Sequence, residues 1–509
     1  MKHTVDVRVT LFSALFCSLA MSASAGVKFA TPFADGMVLQ RDAKVAVWGE
    51  ADAGEKVSVS FAGQTVTTSA GSDGRWLVRL APMPASKDGR VLKANDAEIK
   101  DVLVGEVWYC SGQSNTELPL VGGNPHFRDG EGELVAAMTN LKFVRYVYAS
   151  NYQWSVKPRS KARYSVEWRA FTPDNLGSSR TFSAMGVYFA IALYNALDVP
   201  VGIVGSYWGG TNIDAWTPRA GYENAPESLR YTFDYPVVAK DKWTAECKKG
   251  PISQPHQQPA VLWNEMVEPW CPMTMRGFIW YQGCHNAGGG EALHYCDKMH
   301  ALYNGWSKKF ENPDLRLYFV QLAPYDHSWW NLQMQQAKFA AEEKNAGMVV
   351  TVDVGNSFDI HPKDKGPVGR RLAALALNRD YGFSKLVADS PTFKAAKVEG
   401  DIVSLSFDHA SGWYVYNANW SVDVPFELSG EDGVFKPAVL VNVDGFGQKP
   451  APYKTKGIVK GGELVLKAEG VASPKKVRYL YEKPWIGNVF AASGLPLGPF
   501  EASFDEIAK

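Results

Sequence analysis

The chain has 509 residues, 53 Lys and Arg against 53 Asp and Glu, 46% hydrophobic residues and six cysteines. That length supplies a sizeable buried core without cross-links or metal. The balanced charge leaves no field to gather a polyanion, which argues against nucleic acid and anionic membrane surfaces as partners.

Residues 1–25 read as an export signal: Lys2 and Arg8, an apolar stretch from Val9 to Met21, then Ala23-Ser24-Ala25 as a small-residue cleavage site. Phe16 before Cys17 is too bulky for a lipoprotein-type site. The expectation is a periplasmic or extracellular protein, and no later apolar run reaches the ~18 residues needed for a membrane span. Residues 26–100 alternate with period two, as in Val57, Val59 and Phe61 or Trp76, Val78 and Leu80, between Asp-Ala-Gly and Ser-Asp-Gly turns. Such a pattern predicts antiparallel strands with one buried face, a small β-sandwich module.

Residues 101–385 change rhythm. Apolar strands are expected at Val102–Tyr109, Lys142–Tyr148, Val199–Ser206, Met275–Tyr281, Leu315–Leu322 and Met348–Val354, with helices at Ala184–Leu197, Tyr295–Phe310, Asn331–Lys344 and Gly366–Asn378. This alternation predicts an α/β domain, a parallel sheet with helices on both faces. Residues 219–260 fit neither pattern and read as an excursion walling a cleft. Residues 386–509 return to strand alternation ("IVSLSF", "AVLVNV", "GELVLKA") and predict a second β-rich module.

In open parallel sheets, ligands bind outside the carboxyl ends of the strands. Ser114, Gly209–Asn212, Gln282-Gly283 and Asp359–Pro362 each follow one of the predicted strands, so reactive and donor groups gather on one edge. The chemistry this combination fits is acyl transfer. A serine hydroxyl needs a base to take its proton, and His361 suits that role if a carboxylate holds its other ring nitrogen. Asp359 is the nearest carboxylate; Asp353 is the rival, because two residues of separation from His361 demand a tight turn. An oxyanion would sit near the N–H of Ser114, the N–H of Gly210 and the Gln282 amide. Taken singly, each feature also fits a structural turn or a helix cap; the joint placement favours catalysis.

Cleavage after residue 25 leaves Cys110, Cys247, Cys271, Cys284 and Cys296. Cys110, inside an apolar strand, is expected to stay a buried thiol, and Cys247–Cys271 with Cys284–Cys296 are the economical disulfides, although connectivity stays open. Cys284-His285 with His294 and Cys296 also admits a zinc site, but adjacent Cys-His ligands crowd one ion and thiols oxidise on export. The expectation is therefore no metal and no cofactor. His126, His256, His300 and His327 read as solvated or packed.

The motifs "VWYCSGQSN", "SYWGGTNIDAW", "RGFIWYQG" and "DIHPKDKGPVGRRLA", in that order, resemble the sialate O-acetylesterase family, a branch of the SGNH hydrolases. "DGMVLQR", "VAVWGEADAGEKVSVSFAG" and "ASGLPLGPFEAS" resemble its β-modules, so the likeness covers nearly the whole chain after residue 25. The resemblance implies a three-layer, flavodoxin-like SGNH domain with flanking β-sandwich modules and metal-free serine chemistry that removes acetyl groups from sugars. It places the nucleophile on Ser114, the base on His361, the acid on Asp359 and the oxyanion donors on Gly210 and Gln282. Thr116-Glu117-Leu118 and Cys284-His285-Asn286 depart from the usual Met-Glu-Trp and Glu-Ser-Asn, which bears on substrate preference. The expected substrate is an O-acetylated sialic acid, whose carboxylate wants an arginine such as Arg128, Arg180 or Arg219. Acetylated xylan and a non-catalytic carbohydrate-binding role are the alternatives.

Overall fold

One strand of 16 residues carries the chain out of its N-terminal sheets and into the middle of its largest one. The computed structural model describes residues 26–119, 141–149, 152–172, 175, 182–327, 329–416, 425–444, 456–482 and 486–504. The expected signal segment, His126, Arg128 and Arg180 lie outside these.

The strands that matter for the site are β1 (Ala97–Gly112), β2 (Val144–Tyr148), β3 (Arg169–Ala170), β4 (Val201–Tyr207), β5 (Gly277–Tyr281), β6 (Arg316–Val320) and β7 (Ala346–Val349). Their order is β3-β2-β4-β1-β5-β6-β7, parallel throughout except for the two-residue edge strand β3. From Val102 onward β1 is buried without interruption, as expected of a strand covered on both faces. Its first half pairs instead with Ser86–Ala94 and, in parallel, with Val38–Gln40. The boundary expected at residue 100 therefore falls inside a continuous strand. A separate three-stranded sheet (Lys28–Phe29, Val45–Glu50, Arg75–Leu80) shares the same apolar core.

The helices are α1 (Ser114–Glu117), α2 (Ala184–Leu197), α3 (Tyr295–Lys309), α4 (Trp330–Glu342) and α5 (Gly366–Asp380). Helices α2 and α5 meet closely at Gly369, where a Cβ would stand 2.5 Å from Tyr188 Cβ and 2.7 Å from the Met185 carbonyl oxygen. Among the described residues no helix is long and apolar enough to cross a membrane.

The last parallel strand is shorter than its apolar run predicts. It stops at Val349 because Val350 and Val352 turn into a second core, beneath the strands that follow residue 391. Arg371 donates to the Val350 carbonyl and the Gly487 N–H to that of Val352, so both leave the sheet with their oxygens satisfied. Beyond lie a seven-stranded sheet and a four-stranded one, both antiparallel.

The cysteines correct the disulfide expectation: all five are free thiols. Cys296 lies on α3 and donates to Glu342 at 3.4 Å, whereas Cys284 is half-buried beside Asn115 and Lys365. Cys247 faces the Lys242 carbonyl and Thr244; Cys271 lies beside Glu268 and Lys309. Neither expected pair shares a neighbourhood. The tetrahedral zinc alternative fails for the same reason, and His285 Nε2 lies 2.7 Å from the Pro251 carbonyl oxygen.

Candidate active site

In register, the last residue of β4, Tyr207, and that of β5, Tyr281, both face Gly112. The turn that follows Gly112 is therefore held between two neighbouring strand ends. Gly112 has φ +141°, and a Cβ there would stand 2.3 Å from the Tyr281 carbonyl oxygen and 2.4 Å from Thr116 Oγ1. Only glycine fits. The same Tyr281 oxygen accepts from the Gln113 N–H and the Thr116 hydroxyl, and Gln113 Oε1 accepts from the N–H groups of Gly283 and His285. So fixed, Ser114 begins α1 half-exposed, at the strand edge.

His361 reaches this serine from the loop before α5. Its Nε2 lies 3.0 Å from Ser114 Oγ. Asn115 ties the two loops together by donating to the Ile360 carbonyl at 3.1 Å. Asp359 Oδ1 lies 3.9 Å from His361 Nδ1, an ion-pair separation longer than a hydrogen bond, and accepts from the His361 backbone N–H at 2.9 Å. The rival carboxylate is engaged elsewhere: Asp353 holds both ends of the Arg371 guanidinium, at 2.7 and 2.6 Å.

On the other side stands the loop after β4. Gly209 packs on Ser114, a Cβ there lying 3.3 Å from Ser114 Cβ, and its N–H donates to Glu117 at 2.5 Å. Gly210, at φ +69°, has open space where a side chain would project. Its N–H has no hydrogen-bond partner among the described residues, while its carbonyl accepts from Gln257 at 2.8 Å. Behind it, Asp214 is buried against Lys298 of α3 at 2.8 Å and Tyr222 at 3.0 Å, which anchors the loop.

Gln282 is a correction. Its amide nitrogen donates to the Thr211 carbonyl and to Asn286 Oδ1, and its oxygen accepts from Tyr295, so no donor remains for a substrate. Asn286 was missed. Its Oδ1 accepts from Gln282 and from the Ile213 N–H, while its Nδ2 is buried with no hydrogen-bond partner among the described residues. Buried donors without partners are rare and costly, which makes this one conspicuous. The available signal was the "Cys-His-Asn" sequence, whose asparagine is the one residue it shares with the usual Glu-Ser-Asn.

Part of the excursion 219–260 comes back to this edge: His256 stacks on Trp208 at 4.4 Å and Gln257 reaches Gly210. Tyr152 meets Trp208 edge-on and donates to Glu117. Arg219 stays within the excursion, donating to the carbonyls of Thr232, Phe233 and Tyr235.

A residue that sequence reasoning passed over sits underneath. Lys365, buried, donates to Asn115 Oδ1 at 2.6 Å and lies 5.2 Å over the Tyr281 ring. Burial pulls its ammonium down to about 7. Burial, and then the charge of Lys365, also hold His361 below the usual histidine range, against the pull of Asp359. A lowered histidine pKa keeps the neutral, proton-accepting imidazole present to lower pH, so the acidic limb of kcat/KM is expected below pH ~6.5. In Lys365→Met that limb should move up in pH. A pH–rate profile checks this, and an unmoved limb would remove Lys365 from the account.

Residues 104–378 match the family model described as a carbohydrate esterase, sialic acid-specific acetylesterase. The chain belongs to that family. Among its relatives, the sialate O-acetylesterase of Rattus norvegicus is 28% identical over 447 residues, covering 77% of this chain and 81% of that protein. That of Homo sapiens is 28% identical over 408 residues, covering 73% and 74%. The crystal structure of a carbohydrate acetylesterase from Xanthomonas citri superposes with a TM-score of 0.76 at 30% identity, covering 94% of this chain and 100% of that one. The chain is thus a mixed α/β protein of several sheets, similar throughout to a carbohydrate acetylesterase.

Proposed function

We propose that this family member is a serine esterase that removes O-acetyl groups from sialic acids. One observation carries the reading: Ser114 Oγ and His361 Nε2 at 3.0 Å, beside an open glycine loop, in a chain of this family. Ser114 attacks the acetyl carbonyl as His361 takes its proton. The negative oxygen forms beside the N–H groups of Ser114 and Gly210, with Asn286 in place of Gln282 as side-chain donor. The intermediate collapses to acetyl-enzyme as His361 protonates the departing sugar hydroxyl. A water, deprotonated by the same imidazole, then releases acetate. Asp359 steadies the imidazolium, which requires the 3.9 Å gap to shorten when substrate binds.

This reading treats the parallel sheet and its helices as a three-layer SGNH domain over residues 101–385, between β-modules at 26–100 and 386–509. Residues 1–25 serve in it as an export signal, which a mature N-terminus at Gly26 would support and a retained Met1 would refute.

A second reading has its own support. Arg219 is engaged within the excursion, and the Glu117 carboxylate accepts from Gly209 in the loop that packs on Ser114, which sets a negative charge beside the proposed nucleophile. A neutral acetylated polysaccharide such as xylan fits that charge. Acetate release from O-acetylated sialic acid and from acetylated xylan, compared as kcat/KM, separates the two: preference for xylan would displace the sialate reading and leave the mechanism intact.

A further inference from the structure

Where α3 packs on α4, three metal-ligating side chains converge, none of them used in the reaction above. Cys296 and His300 are four residues apart on α3 and so share one face of that helix. Glu342, the last residue of α4, meets both: its Oε2 lies 3.4 Å from Cys296 Sγ and 3.0 Å from His300 Nε2. All three ligand atoms lie within 4.8 Å of one another, and among the described residues no other group of three does so. Phe339, one turn back on α4, holds the His300 ring edge-on at 4.8 Å, which fixes its orientation. Lys338 lies 3.8 Å from the other Glu342 oxygen, Oε1, and leaves Oε2 to the cluster.

We propose that Cys296, His300 and Glu342 form a binding site for one zinc ion, with a water in the fourth position. Zinc takes sulfur at about 2.3 Å and nitrogen or oxygen at about 2.0–2.2 Å, so the edges of its tetrahedron measure roughly 3.3–3.7 Å. The two separations to Glu342 Oε2 are within a few tenths of an ångström of that range, and the third, between Cys296 Sγ and the His300 ring nitrogen, is no more than 4.8 Å, which side-chain rotation on one helix face can close. A thiolate, an imidazole and a carboxylate together suit a borderline-soft cation and not calcium or magnesium, which prefer all-oxygen shells. The His300 and Glu342 side chains are 30% and 45% exposed, which opens a path for the ion from solvent. On binding, the Cys296 S–H bond is replaced by a sulfur–zinc bond and the proton leaves to solvent, so affinity rises with pH.

The ion would brace a helix that stands behind the active site. Helix α3 also carries Lys298, which anchors Asp214, and Tyr295, which holds Gln282. The site therefore adds stability and not chemistry. The test uses metal-free full-length enzyme titrated with Co(II) alone and then with Zn(II). One equivalent of Co(II) should produce a near-ultraviolet thiolate-to-cobalt band, one equivalent of Zn(II) should abolish it, and Zn(II) should raise Tm. Cys296→Ser should lose the band. Because Cys296 is buried and its replacement risks the fold, His300→Ala provides the second arm, with zinc affinity expected to fall by about tenfold or more. A missing band in the wild-type protein, or equal zinc affinity in wild type and His300→Ala, overturns the proposal.

Discussion

Ser114→Ala is expected to lower kcat for acetyl-ester hydrolysis by about 10⁴- to 10⁶-fold, because in the proposed reaction its hydroxyl oxygen bonds to the acetyl carbon. Covalent labelling by a fluorophosphonate should vanish with it. The fold should survive: the Ser114 side chain is half-exposed, and the turn is held by Gly112, Gln113 and Thr116, not by the serine oxygen. An unchanged Tm beside lost labelling is the expected pair of results. Residual kcat within tenfold of wild type would mean that another group attacks the ester.

The second large effect separates two aspartates. Asp359→Asn retains an oxygen for the His361 backbone N–H but removes the negative charge that would stabilise the imidazolium. Loss of kcat by about 10²- to 10⁴-fold is expected, with little change in Tm. Asp353→Asn should do the opposite. Its carboxylate grips Arg371 with both oxygens, in a pair whose side chains are only 14% and 13% exposed. Breaking it should cost about 1–3 kcal/mol of stability and leave kcat near wild type. Steady-state kinetics and thermal unfolding on the two variants check this together; a collapse of kcat in Asp353→Asn alone would reverse the assignment.

How far the sequence carries depends on which physical signal it holds. Helix α2 was expected at its observed bounds, Ala184–Leu197, and α3 ends one residue short of expectation, because long apolar-faced segments declare their period over several turns. The close approach of Ser114 and His361 follows from loops leaving one edge of a parallel sheet, a rule that needs only strand order. Side-chain networks leave no such trace. Nothing in "YQGCHN" tells which amide, Gln282 or Asn286, ends with a donor to spare, since that depends on where Thr211 and Tyr295 come to rest. Lys365 is one of several charges in "HPKDKG", and only tertiary packing buries it against Asn115. The same holds for Val350 and Val352, whose apolar run is equally at home in a strand or in the neighbouring core. Cysteine pairing by economy of spacing fails for a like reason, because spacing carries no information about which way each thiol points.

The strand that delivers Ser114 has its other half stitched into the N-terminal sheets. Excising the chain at residue 100, where composition invites a cut, would leave Val102–Val104 without the neighbours they pair with at Val38–Leu39, Ser86 and Arg90. The seat of Ser114 and the small leading module consequently behave as one beam, and a trimmed enzyme would begin with a frayed end in its own foundation.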